Sequence, residues 1–135
     1  MGIDYTKLSE KDIQAAIVHY LGTRKDIVFW RQNTGSMIPH VMRILAGILA
    51  KFRVSRKEII LASVKRAAGH YKCTSISGIS DIIVIQNGLF IGLEVKTEKG
   101  KQRDEQKKFE KDVLKAGGQY HLVRSLNDVI KIIEG

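Results

Sequence analysis

The sequence predicts an α/β chain: a mixed β-sheet flanked by helices, in one domain that carries a basic helical insertion at about residues 36–76. Three observations lead there. Helical and strand-like hydrophobic periods follow one another along the chain. Asn87-Gly88 separates two runs of strand formers, Asp81–Gln86 and Leu89–Lys96; Asn-Gly suits a two-residue hairpin because both central positions take positive φ. A helical stretch then leads to a further strand, and a strand–helix–strand unit of this kind is a right-handed parallel crossover. At 135 residues the chain is long enough for a single core without staples.

Taken in order, Ser9 with Asp12 forms an N-cap pair. Ile13, Ala16, Ile17, Tyr20 and Leu21 repeat at helical spacing behind it, and Gly22 closes the helix. Glu10 lies in the first turn, where a carboxylate complements the helix dipole. It also shares a stripe with Gln14 at the border of the apolar face, from which an acid could reach the end of the sheet. Ile27–Asn33 reads as a strand with Trp30 in the core, base stacking being its alternative role, and with Arg31 and Asn33 on the opposite face. Met37–Phe52 reads as a helix that tolerates Pro39 in its first turn. Ser55 and Glu58 fit a capping box for a second helix, Arg56–Ala68, ended by Gly69. After the hairpin, Lys101–Ala116 is helical, with Phe109, Val113 and Ala116 on one face and Gln106 continuing that stripe. Gly117-Gly118 ends it, Gln119–Arg124 is a strand, and Ser125 with Asp128 caps a last helix.

Charge is concentrated in the insertion. Of a formal net charge of +9, the stretch from Ser36 to Ile76 supplies seven: Arg43, Lys51, Arg53, Arg56, Lys57, Lys65, Arg66 and Lys72 stand against Glu58 alone. A one-sided basic segment is the footprint expected of a phosphate-backbone binder. Arg31, Asn33 and Lys101 are counted with these residues as candidate DNA contacts. Apolar positions on both insert helices call for a core or a second subunit to pack against. The lone Cys73 excludes an intramolecular disulfide and a cysteine-rich zinc cluster, and fits a reducing compartment. No apolar run approaches a membrane span and no signal-peptide pattern is present. Cytoplasmic residence, in a prokaryotic or phage-infected cell, is the expectation.

The hairpin carries the chemistry. A regular two-residue turn pairs Gln86 with Leu89, which sets Asp81 opposite Glu94 and places Lys96 further along the same face. Like charges facing each other across strands are destabilising. Retaining such a pair is explained by a cation, and oxygen donors suit Mg²⁺ or Mn²⁺. Carboxylates solvated or paired with lysine at a frayed sheet edge are the structural alternative; the register together with Glu-x-Lys favours the ion. Gln106, on a buried stripe, needs a polar partner there, either backbone or active site.

These residues resemble the VRR-NUC branch of the PD-(D/E)xK nuclease superfamily. The matching elements are Glu10 with Gln14, Arg31-Gln-Asn33-Thr-Gly35, Gly78-Ile-Ser-Asp81, Glu94-Val-Lys96, Gln106 and Val123-Arg124-Ser125. They cover most of the chain outside the insertion. The resemblance implies a restriction endonuclease-like fold and an Mg²⁺- or Mn²⁺-dependent endodeoxyribonuclease. It implies Asp81, Glu94 and the carbonyl of Val95 as metal ligands, with Glu10 as an outer or second-metal ligand. Lys96 would orient or activate the attacking water, and Gln106 would support the site. Stand-alone members resemble Holliday junction resolvases, which act on four-way DNA as homodimers. Two departures stand out: Ser80 occupies the place of the superfamily's usual proline, and a long insert separates Gly35 from Gly78. The competing readings are a nuclease with little structural preference, cutting flapped or linear DNA, and a catalytically silent DNA-binding module.

Overall fold

A computed structural model describes residues 7–32, 38–70 and 76–135. The chain divides into two compact units, Met1–Asn33 with Ile76–Gly135, and Thr34–Ser75. The second coincides closely with the expected insertion. Among the described residues no helix is long and apolar enough to cross a membrane.

The first unit is α/β. Helix α1 (Glu10–Gly22) is followed by β1 (Ile27–Arg31), the hairpin β2 (Ile82–Gln86) and β3 (Leu89–Val95), helix α4 (Asp104–Lys115), β4 (Gln119–Val123) and α5 (Leu126–Glu134). Helices α2 (Ile38–Lys51) and α3 (Lys57–His70) belong to the second unit. The four strands form a mixed sheet in the order β1-β2-β3-β4, antiparallel except for β3 with β4. The parallel pair is the one joined through α4, as the crossover pattern requires. At the hairpin Asn87 has φ 51° and Gly88 φ 77°, the two left-handed residues that a type I′ turn needs. Gln86 pairs with Leu89 and Ile82 with Leu93, the register expected from the dipeptide.

That register sorts side chains onto two faces. Ile82, Val84, Ile91, Leu93, Val95 and Val123 point to one side and join Ile13, Ile17 and Leu21 of α1 and Val129 and Ile133 of α5 in the main core. Phe90 and Tyr120 point to the other and meet Phe109 and Val113 of α4. Capping boxes start α1 at Ser9–Asp12 and α5 at Ser125–Asp128, each with its reciprocal pair of hydrogen bonds. Helix α4 ends at Lys115 with Ala116 as its C-cap; Gly117 beyond it is left-handed (φ 85°), and the Gly118 N–H returns to the Val113 carbonyl at 3.0 Å.

Four expectations need correction. Trp30 is 43% exposed and its neighbour on that face, Val28, 65%; β1 and β4 are the two edges of the sheet, the α4 that buries Tyr120 on this face packs at β4, and Ile27 and Phe29 of β1 turn toward the main core instead. Helix α3 begins at Lys57 and is preceded by Arg56 at φ 57°, a left-handed residue that displaces Ser55 from the capping position. The same helix runs through Gly69 to His70. Helix α4 begins at Asp104, three residues later than its hydrophobic pattern suggested, because Thr97–Gly100 is a turn and Arg103, the N-cap, is still extended (φ −81°, ψ 163°). In the second unit α2 and α3 pack against each other, and Pro39 is the second residue of α2, where its missing N–H costs nothing.

Candidate active site

The site is built at one end of the sheet by β2, β3 and the start of α4. Continuing the β2–β3 register by one residue sets Asp81 opposite Glu94. Asp81 lies just outside β2, and its Oδ2 accepts the Val95 N–H at 2.8 Å. Its own carbonyl accepts the Gln32 N–H at 2.7 Å, which ties the β1 end to the same point.

Glu94 is fully buried. Its Oε1 receives Lys96 Nζ at 2.8 Å and the side-chain amide of Gln106. Its Oε2 is buried and has no hydrogen-bond partner among the described residues. Gln106 is fixed in turn, because its Oε1 accepts the Arg103 N–H at 2.8 Å as the third residue of α4. The glutamine expected to need a polar partner therefore has two, one on the backbone and one in the site.

Electrostatics agree with the geometry. Burial pushes the Glu94 carboxyl above its ordinary range; the Lys96 ammonium pulls it down and the Asp81 charge pushes it up again. Burial likewise raises Asp81, offset by the Val95 N–H and by Lys96. A single lysine thus does not neutralise two facing acids. An unpartnered carboxylate oxygen in a dry position costs about 1–3 kcal/mol. A hard divalent ion fits that oxygen, since Glu94 Oε2 and Asp81 supply the oxygen donors such ions prefer.

The third acid named from the sequence, Glu10, stands near Lys96, and its charge raises both Asp81 and Glu94. Glu10 is half-exposed with its Oε1 4.0 Å from Lys96 Nζ. Among the described residues no group of three or more His, Cys, Asp or Glu is disposed to hold a metal ion. Gln14, on the same stripe of α1, is buried. Arg31 and Lys101 are exposed, as are Arg43, Lys51, Arg53, Arg56, Lys57, Lys65 and Arg66 of the second unit. Asn33 and Lys72 lie outside the described residues.

Three contributors were not given roles by sequence reasoning. Gly78 (φ 75°) lies against the start of α4, so close that a Cβ there would fall 2.2 Å from the Glu105 carbonyl oxygen. Gly92, inside β3, leaves room for Ser80, whose Oγ would be 2.4 Å from a Cβ at that position. A glycine within an otherwise apolar strand is the available signal for such an approach. The Ser80 hydroxyl itself is buried without a partner among the described residues. An apolar groove of about 400 Å³, lined by Ile76, Ile79, Phe90, Phe109 and Val113, lies further along α4 and includes neither carboxylate. Comparison of the chain with family models, with curated proteins and with solved structures found no match.

Proposed function

We propose that the chain is a metal-dependent, structure-selective DNA endonuclease of the VRR-NUC type, with a restriction endonuclease-like fold, acting as a homodimer on branched DNA in the manner of a Holliday junction resolvase. One observation carries this reading. Glu94 is buried opposite Asp81 with one oxygen held by Lys96 and Gln106 and the other left without a partner. A structural ion pair would satisfy both oxygens; a ligand site leaves one open.

Mg²⁺ or Mn²⁺ held by Asp81 and Glu94 would supply an acidified water and screen the phosphate's charge. The chain's residues do the rest. Lys96, only 12% exposed and anchored on Glu94 at 2.8 Å, presents a fixed positive charge beside the attacking water and the phosphate oxygens. Gln106 holds Glu94 in one rotamer through its amide, and α4's backbone holds Gln106. The exposed basic residues of the second unit supply counter-charge for the DNA backbone. Two symmetric nicks in a four-way junction call for two such sites, and two-fold pairing is the commonest route to them.

The test is cleavage of an end-labelled four-way junction with Mg²⁺ or Mn²⁺, alongside duplex and flap of equal length at matched salt. Junction products lost in Asp81→Asn and Lys96→Ala are expected. No product from the wild type, or undiminished product from either variant, would refute the enzyme reading. Equal cutting of duplex would refute the junction preference alone.

A further inference from the structure

Arg124 follows β4 and reaches back across the sheet's end to the turn after β3. Its guanidinium donates to the carbonyls of Thr97, of Glu98 at 3.0 Å and of Gly100 at 3.0 Å. Those carbonyls belong to a tight turn closed by the Gly100 N–H on the Thr97 carbonyl at 3.0 Å. The turn starts immediately after Lys96 and folds back on it. A Cβ placed on Gly100 would lie 3.2 Å from both Cβ and Cδ of Lys96, closer than ordinary contact. Gly100 is therefore a wall along the lysine's methylenes. Arg124 is itself fixed at its backbone, where its N–H donates to Asp128 Oδ2 at 2.9 Å in the α5 capping box. A planar guanidinium spanning several carbonyls is rigid in a way a lysine ammonium is not.

We propose that Arg124 is a positioning residue for Lys96. It locks the Thr97–Gly100 turn, the turn confines the Lys96 side chain, and the confined ammonium stays 2.8 Å from Glu94 Oε1. This rests on the nuclease reading for its purpose, not for its geometry. A four-carbon side chain loses rotamer freedom when fixed, and a wall of backbone reduces the freedom left to lose. A misplacement of about 1 Å at a reacting group can cost up to about 100-fold in rate.

The experiment reads Lys96 directly, by NMR of the full chain without metal or DNA. The Lys96 Hε–Cε signal is assigned by its absence in Lys96→Met. In the wild type its two Hε protons should be inequivalent and displaced from the solvent-exposed lysines. Arg124→Met should collapse the signal into the exposed group, Arg124→Lys should move it part of the way, and Gly100→Ala should shift it with Arg124 intact. Junction cleavage by Arg124→Lys should lose about tenfold in kcat with KM within about twofold. A Lys96 signal unchanged in Arg124→Met, whatever happens to melting temperature, overturns the proposal. If Arg124→Met does not fold, unchanged signals in both Arg124→Lys and Gly100→Ala overturn it equally. Wild-type protein that cuts no DNA but shows the Lys96 shifts refutes the nuclease reading and leaves the positioning role intact.

Discussion

Replacing Gly78 with alanine should unseat the candidate site from a distance. The added Cβ would stand 2.2 Å from the Glu105 carbonyl oxygen, 2.3 Å from its carbon and 2.7 Å from the Gln106 nitrogen. All three are backbone atoms, so no side chain can rotate away. Restoring ordinary carbon contact of about 3.5 Å requires the start of α4 to retreat by about 1 Å. The left-handed φ of 75° adds about 1–2 kcal/mol for any residue with a Cβ, and the overpacking about 1–3 kcal/mol. Together these give about 2–5 kcal/mol, or a melting temperature lower by about 10 °C. Gly88→Ala separates the two contributions, because Gly88 has φ 77° with nothing within 4 Å of its Cβ position; it should show the backbone cost alone. Urea denaturation of both variants measures the difference, and the Gln106 side-chain amide resonances report whether its bond to Glu94 survives. Gly78→Ala within about 0.5 kcal/mol of Gly88→Ala would refute the claimed contact between the Gly78 turn and α4.

Two further outcomes follow from the core and the acids. Phe109, stacked edge-on between Phe90 at 6.5 Å and Tyr120 at 6.2 Å, should cost about 3 kcal/mol when cut to alanine; a urea midpoint unchanged from wild type would contradict its place at the centre of the α4 face. The pH dependence has a definite sign. Folding raises Asp81 and Glu94 above their ordinary values of 3.8 and 4.5, so the folded state holds protons that the unfolded chain has released. Their contribution is therefore present below those values and lost as pH rises through the folded ones. In metal-free solution the wild type should lose stability relative to Asp81→Asn as pH rises above about 4, since asparagine can still accept the Val95 N–H. Thermal melts of the two proteins across that range check it, and a pH-independent difference would count against a buried, like-charged pair.

The parts legible in the sequence are those set by local chemistry. Asn87-Gly88 admits one turn type, and that turn alone fixes which residues of β2 and β3 face each other; the pairing of Asp81 with Glu94 follows without any tertiary information. Capping at Ser9 and Ser125 is equally local. What failed depends on contacts between distant segments. Trp30 looks like core from its own strand, yet its burial is decided by α4, which covers that face at β4, the opposite edge, and buries Tyr120 there. Ser55-x-x-Glu58 satisfies a capping box on paper, but the turn from α2 places Arg53 and Arg56 in left-handed conformations and starts α3 after them. Glu10 lies on the expected stripe, but that its carboxylate comes to 4.0 Å from Lys96 Nζ, close enough for its charge to raise Asp81 and Glu94, is settled by how α1 packs. Arg124 and Gly78 stood in recognisable motifs, but their partners, the turn after β3 and the start of α4, are revealed only by the packed structure.

Asp81 and Glu94 face each other, Glu94 is buried with one oxygen free among the described residues, and in the proposed enzyme the two hold a hard divalent ion. Isothermal titration of metal-free protein with MnCl₂ at neutral pH measures that uptake. A saturable heat is expected in the wild type, lost in Asp81→Asn while the fold, judged by circular dichroism, is kept. At one hundred times Kd the ion should also stabilise the wild type by about 2.7 kcal/mol. A wild type that takes up no Mn²⁺, or an Asp81→Asn variant that binds it equally well, would refute the metal site.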